Sequence, residues 1–185
     1  MNPNGGGPHN HRRRRGACGL RVMSAVLAGM AAAGVTASAA EPVRWRVVNV
    51  HDGDTLTALD AGNVQHKVRL EGIDAPELGQ PFGRVARDRL AVLAKGKEAT
   101  IHEHGKDRYG RVLASVDIEG DDLGHRLVAE GLAWHYTRYS KDAGLAAAER
   151  DARSAKSGLW ADGEPVPPWA WRAGEKDRKR EPVPR

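Results

Sequence analysis

At 185 residues the chain suits one domain with a hydrophobic core and short appendages, and its composition excludes collagen-like and repeat architectures. The formal charge of +5 comes from 29 Lys and Arg against 24 Asp and Glu, but the first forty residues hold five arginines and no acid, so the remainder is balanced. Overall basicity therefore says little about nucleic acid, and such a claim must rest on local clusters of cations.

Arg12 to Arg15 and Arg21 precede an apolar run from Val22 to Val35, closed by Thr36-Ala37-Ser38-Ala39-Ala40. A basic start, a short apolar stretch and small residues make residues 1–40 a predicted secretory signal peptide, with cleavage expected before Glu41. The alternative is a retained membrane anchor, which the shortness of the run and its Ala and Gly content argue against. The expectation is a secreted or periplasmic protein, membrane-bound only if this segment stays uncleaved. Cys18 is the single cysteine and lies inside it, so the mature chain would carry no disulfide.

After this segment, Trp45 to His51 partly alternates apolar and polar residues before Asp52-Gly53, a turn signal, and Thr55 to Leu59 resumes the pattern. Ala61-Gly62-Asn63 turns the chain into a third strand, Val64 to Leu70, with Arg69 near its end. Phe82, Ala86, Leu90 and Leu93 recur at helical spacing up to Lys95-Gly96. Thr100 to His104 and Val112 to Ile118 read as two further strands joined by a charged loop. Asp122 is a predicted N-cap for a helix bearing Leu123, Leu127 and Val128 that stops at Gly131. A third helix is expected from Asp142 to Ser157, with Leu145, Ala148, Ala152 and Ala155 inward. Gly163 to Pro168 cannot be helical. Trp169 and Trp171 are expected to pack back on a domain spanning 41–172, and residues 173–185 to form a basic disordered tail. From periodicity alone the class is a small α+β domain.

The chemistry concentrates in two segments, His51-Asp52-Gly53-Asp54-Thr55 and Arg69-Leu70-Glu71-Gly72-Ile73-Asp74-Ala75-Pro76-Glu77. Asp52, Asp54, Asp74 and Glu77 offer oxygen ligands alone, which suits a hard cation such as Ca²⁺ or Mg²⁺ rather than zinc. Arg69 beside them is either a neutralising partner or a fork aimed at an anion such as phosphate. A third segment, Asp107-Arg108-Tyr109-Gly110-Arg111, adds two arginines and a tyrosine. The eight histidines show no metal spacing.

In this order and at this spacing the three segments resemble the staphylococcal-nuclease (thermonuclease) family over roughly residues 45 to 172. The resemblance implies a five-stranded oligonucleotide-binding (OB-fold) β-barrel with three α-helices. It implies an exported, Ca²⁺-dependent hydrolase of DNA and RNA phosphodiesters that leaves 3′-phosphates, a monomer without a stable protein partner. By the same resemblance Asp54, Asp74 and the backbone carbonyl of Ala75 would hold Ca²⁺. Family members often carry Thr where Ala75 stands, which a backbone ligand tolerates. Arg69 and Arg111 would grip the phosphoryl oxygens, and Glu77 would be the general base. Arg108, Tyr109, Tyr136 and Tyr139 would contact the substrate, with Trp134 competing for the stacking role. The rival expectation is a non-catalytic binding module of the same fold. Such modules usually lose a carboxylate or an arginine, whereas here Asp54, Arg69, Asp74, Glu77 and Arg111 are all present.

Overall fold

The fold comes from a computed structural model that describes residues 43–161 and 163–180. The expected signal segment, the cleavage position before Glu41 and the last five residues lie outside the described residues.

Strand β1 (Val43–Val50) turns at Asp52-Gly53 into β2 (Thr55–Leu59), and β2 pairs antiparallel with β3 (Gln65–Leu70). A two-residue strand β4 (Ile73–Asp74) and helix α1 (Gly83–Ala94) follow. Strand β5 (Glu98–Lys106) pairs antiparallel with both β1 and β6 (Val112–Ile118). One further pairing closes the sheet on itself: β3 and β6 run parallel, with Val68 opposite Val112 and Leu70 opposite Ala114. The strand circuit β1-β2-β3-β6-β5 is thus a closed five-stranded barrel, the OB-fold architecture expected. Irregular pairing between Val47 and Asn49 and between Glu103 and Gly105 adds the local twist that closure requires.

Alternation fills the barrel. Val112, Ala114, Val116 and Ile118 of β6 are all buried and the residues between them are not, the period-two signature of a half-buried strand. Ala86, Leu90 and Ala94 recur every four residues along the buried stripe of α1, which packs into the same core as Val47, Leu56 and Val68. Strand β7 (Asp121–Asp122) pairs with β6 and leads into α2 (Leu123–Ala129), where the Asp122 carboxylate accepts from the His125 N–H at 2.6 Å as the N-cap. Strand β8 (Trp134–His135) precedes α3 (Ala143–Ser154), capped in the same way by Asp142, which accepts from the Leu145 N–H at 2.8 Å.

Four expectations are corrected. Helix α3 ends at Ser154, not Ser157, so Ala155 falls at the C-cap and is exposed. After a 3₁₀ turn (Gly158–Ala161) a fourth helix, α4 (Pro168–Arg180), appears where three helices were expected. This helix also makes residues 173–180 helical instead of disordered. Pro168, at the end of the stretch expected to be non-helical, instead opens α4, because its fixed φ is preorganised for a first helical position, and Trp169 and Arg172 fasten that turn to the domain. Once a turn is fixed, each later residue adds a hydrogen bond at small entropic cost, so polar residues beyond it can follow.

Candidate active site

Two connections that local sequence cannot show build the site. Strand β4 pairs antiparallel with β8, setting Asp74 opposite Trp134 and Ile73 opposite His135, and the Tyr136 N–H donates to the Gly72 carbonyl at 2.8 Å. The Asp52–Asp54 turn is fixed against this ribbon. Asp52 Oδ1 accepts from the Asp54 N–H at 3.1 Å, and Asp54 Oδ2 accepts from the Ala75 N–H at 2.8 Å. Gly53 is required there, because a Cβ at this position would lie 2.6 Å from the Ala75 Cβ and 2.7 Å from that of Ala86.

Arg69 leaves the end of β3 and joins the two turns. Its guanidinium lies 2.7 Å from Asp54 Oδ2 and 3.1 Å from Asp74 Oδ1, and it donates to the Leu70 and Ile73 carbonyls at 3.2 and 3.1 Å. Five residues from the first two charged segments therefore converge: Asp52, Asp54, Arg69, Asp74 and Ala75. Glu77 joins them through Arg172 of α4, which donates to Asp74 Oδ2 and Glu77 Oε1, each at 2.8 Å, and to Asp74 Oδ1 at 3.2 Å.

Four carboxylates thus face two guanidiniums. Burial pushes the Asp54 carboxyl up to about 7, with Asp52 and Asp74 adding to the rise and Arg69 and the Ala75 N–H opposing it. Crowded, oxygen-only and partly uncompensated negative charge is the donor chemistry of a hard cation. Asp54 and Asp74 are the most buried oxygen donors at this point, and each is paired with an arginine, Asp54 with Arg69 and Asp74 with Arg69 and Arg172. Among the described residues no group of three or more His, Cys, Asp or Glu side chains is placed to hold a metal ion.

The third segment is built differently. Asp107 accepts from the Tyr109 and Arg111 N–H groups at 2.8 and 3.0 Å and from the Arg111 Nε at 2.7 Å, which folds the loop on itself around Gly110. Arg108 lies over the Tyr109 ring and donates to its hydroxyl at 2.7 Å. Arg111 lies just before β6, whose first residue Val112 is the register partner of Val68, and its side chain is held by Asp107 beside the Tyr109 ring. Among the described residues no ion pair ties Arg111 to the carboxylate cluster.

Tyr136 and Tyr139 meet edge to face at 4.8 Å, and one face of Tyr136 is stacked on Trp169 at 5.3 Å. Tyr139 is exposed, whereas Trp134 is buried against Trp160 with its indole turned from solvent, so it does not compete as a stacking platform. Arg172 was missed as a site residue. Its available signal was Trp169-Ala170-Trp171-Arg172, two tryptophans too apolar for a free tail with an arginine directly after them.

The staphylococcal nuclease homologue family model matches residues 67–162. An uncharacterized endonuclease of Haemophilus influenzae is 42% identical over 142 residues, covering 77% of this chain and 80% of its own. An uncharacterized endonuclease of Escherichia coli is 41% identical over 131 residues, covering 70% and 85% respectively. A probable staphylococcal-like nuclease of Oryza sativa is 36% identical over 113 residues, and this chain spans about a third of it (34%). With a family match over half its length and relatives matched across most of theirs, the chain belongs to the staphylococcal nuclease homologue family.

Proposed function

We propose that the chain is a Ca²⁺-dependent nuclease that hydrolyses DNA and RNA phosphodiesters to 3′-phosphate ends. The observation that carries this is the single cluster in which Arg69 bridges Asp54 and Asp74 while Glu77 stands beside them on the same guanidinium network. Phosphodiester hydrolysis needs an activated water, shielding of the non-bridging oxygens and relief of charge on the leaving oxygen. Asp54, Asp74 and the Ala75 carbonyl would hold the cation, which when bound supplies positive charge to the water and the phosphoryl group.

The chain's own groups divide the remaining work. Glu77 accepts the proton of the attacking water. Arg69 and Arg111 present planar forks to oxygens that become more negative toward the transition state. Arg108 and Tyr109 form an exposed cation and ring pair suited to a flanking phosphate and base. Tyr139 and the edge of Tyr136 offer a second ring surface that accepts any base. The partners are DNA and RNA, acted on by a monomer, and export by a cleaved signal sets the location.

The test is incubation of the purified domain with single- and double-stranded DNA and RNA, with Ca²⁺ or with chelator, followed by analysis of product ends. Cutting that needs Ca²⁺ and leaves 3′-phosphates is expected. Binding without cutting would assign the chain to the non-catalytic modules of this fold.

A further inference from the structure

We propose that Arg172 is a positioning residue for the hydrolysis: from the first turn of α4 it holds the Glu77 carboxylate at the cluster by tying it to Asp74. The inference rests on the nuclease reading above and adds a residue outside the segment matched by the family model.

Glu77 lies on the loop between β4 and α1, its side chain 40% exposed, and an unrestrained glutamate there would sample several rotamers. Its carboxylate is caught by Arg172 Nη1 at 2.8 Å, across 95 residues of sequence, while its N–H donates to Gln80 Oε1 at 3.2 Å. The other arm of the same guanidinium holds Asp74, whose side chain is 1% exposed and set by the β4–β8 pairing. One planar fork therefore ties a part-exposed carboxylate to a buried one, a geometry that an ammonium cannot reproduce.

The strut is itself anchored. Trp169, three residues before Arg172 and on the same helix face, stacks on Tyr136 at 5.3 Å with the rings 2° from parallel, and meets Trp134 edge-on at 5.5 Å. The linker before the helix is held where Gln80 Nε2 donates to the Val166 carbonyl at 2.5 Å. Gln80 thus braces both the Glu77 backbone and the chain that delivers Arg172. A side chain aimed by packed neighbours keeps the reacting groups in productive geometry without rearrangement at the moment of reaction.

The experiment compares steady-state cleavage of a single-stranded DNA oligonucleotide by wild type, Arg172→Ala, Arg172→Lys, Glu77→Gln and Glu77→Gln with Arg172→Ala. Arg172→Ala is expected to lower kcat about ten- to a hundredfold with KM within about twofold, the scale of losing a group that orients a reacting one. Arg172→Lys should recover part of the loss. The double variant should be no slower than Glu77→Gln alone, because Arg172 acts through Glu77. Urea unfolding of the same proteins supplies a readout that does not require turnover: the two changes should couple, by about two- to fivefold in the folding equilibrium constant. A fully active or faster Arg172→Ala, an equal further slowing in the Glu77→Gln background, or no coupling in unfolding overturns the inference while leaving the nuclease reading intact. A wild type that cuts nothing overturns that reading, and the inference with it.

Discussion

Asp74 is 1% exposed and takes three hydrogen bonds from two arginines, while Tyr109 is 69% exposed and is held by Arg108 and Arg111 of its own loop. The carboxylate half of the site is assembled from residues far apart in sequence and is fixed by strand register and buried ion pairs. The loop half is assembled within five residues around Asp107 and is fixed by bonds that would survive if the barrel shifted beneath it. The difference separates two requirements of one reaction. Groups that meet the reacting atoms gain from rigidity. Groups that meet a polymer of varied sequence gain from exposure and local freedom. Changes in the first half should therefore carry a larger folding cost than changes in the second.

The largest expected effect is that of Glu77→Gln, which keeps size and polarity but removes the basic oxygen. Single-turnover cleavage at saturating Ca²⁺ should fall by about two to four powers of ten, and a variant that keeps most of its activity would make Glu77 a bystander. Arg69→Lys and Arg111→Lys should each lower kcat by about two powers of ten, since each loses a planar fork. Their stabilities separate the two halves. Arg69 is 13% exposed and serves two carboxylates and two carbonyls, so its lysine variant should lose about 1–3 kcal/mol in urea denaturation. Arg111 pairs with one carboxylate of its own loop, so its variant should lose under about 1 kcal/mol. Equal stability losses would break the comparison.

Glycine substitutions probe the same contrast through the backbone. A Cβ on Gly83 would lie 1.8 Å from the Glu77 carbonyl oxygen, so Gly83→Ala must push the start of α1 away from the Pro76–Glu77 turn. The expected cost is about 3 kcal/mol, with a parallel loss of turnover as Glu77 moves. Gly110 has φ of +78°, and a Cβ there would meet nothing within 4 Å, so Gly110→Ala carries conformational strain alone. About 1 kcal/mol is expected from it, read by thermal unfolding.

Much of this architecture was legible in the sequence. Val112, Ala114, Val116 and Ile118 alternate as a half-buried strand must, and Asp122 and Asp142 sit where N-caps belong. The three charged segments marked most of the residues that converge. What could not be read was long-range. Strands β4 and β8 have two residues each, too short for any periodicity, yet their pairing brings Asp74 beside Trp134 and Tyr136. The tail misled for a related reason: its composition is that of a solvated segment, and its helix depends on contacts made by Trp169 and Arg172. Tyr136 looked like a free platform because the stacking of Trp169 upon it links positions 33 residues apart.

The smallest expected effects come from the two tyrosines, and they test whether exposure and not aromatic character alone decides which ring meets substrate. Tyr109 is exposed and bonded to Arg108, so Tyr109→Ala should leave stability unchanged and raise KM for a single-stranded oligonucleotide by about tenfold, the worth of one base stacked on one ring. Its kcat should change less than its KM, because the ring meets Arg111 only at 5.6 Å and the bond from Arg111 to Asp107 remains. Tyr136→Ala should show the reverse balance. Removing the ring strips Trp169 of its stacked partner, which loosens α4 and with it the guanidinium on Glu77, so kcat should fall by a fewfold while KM changes less. Fluorescence of the Trp169 indole, read as the difference from a Trp169→Phe control, should shift to the red in Tyr136→Ala and stay unchanged in Tyr109→Ala. If both variants alter KM alone, Tyr136 is a substrate platform in spite of its covered face, and the division between a rigid half and an adaptable half fails at that residue.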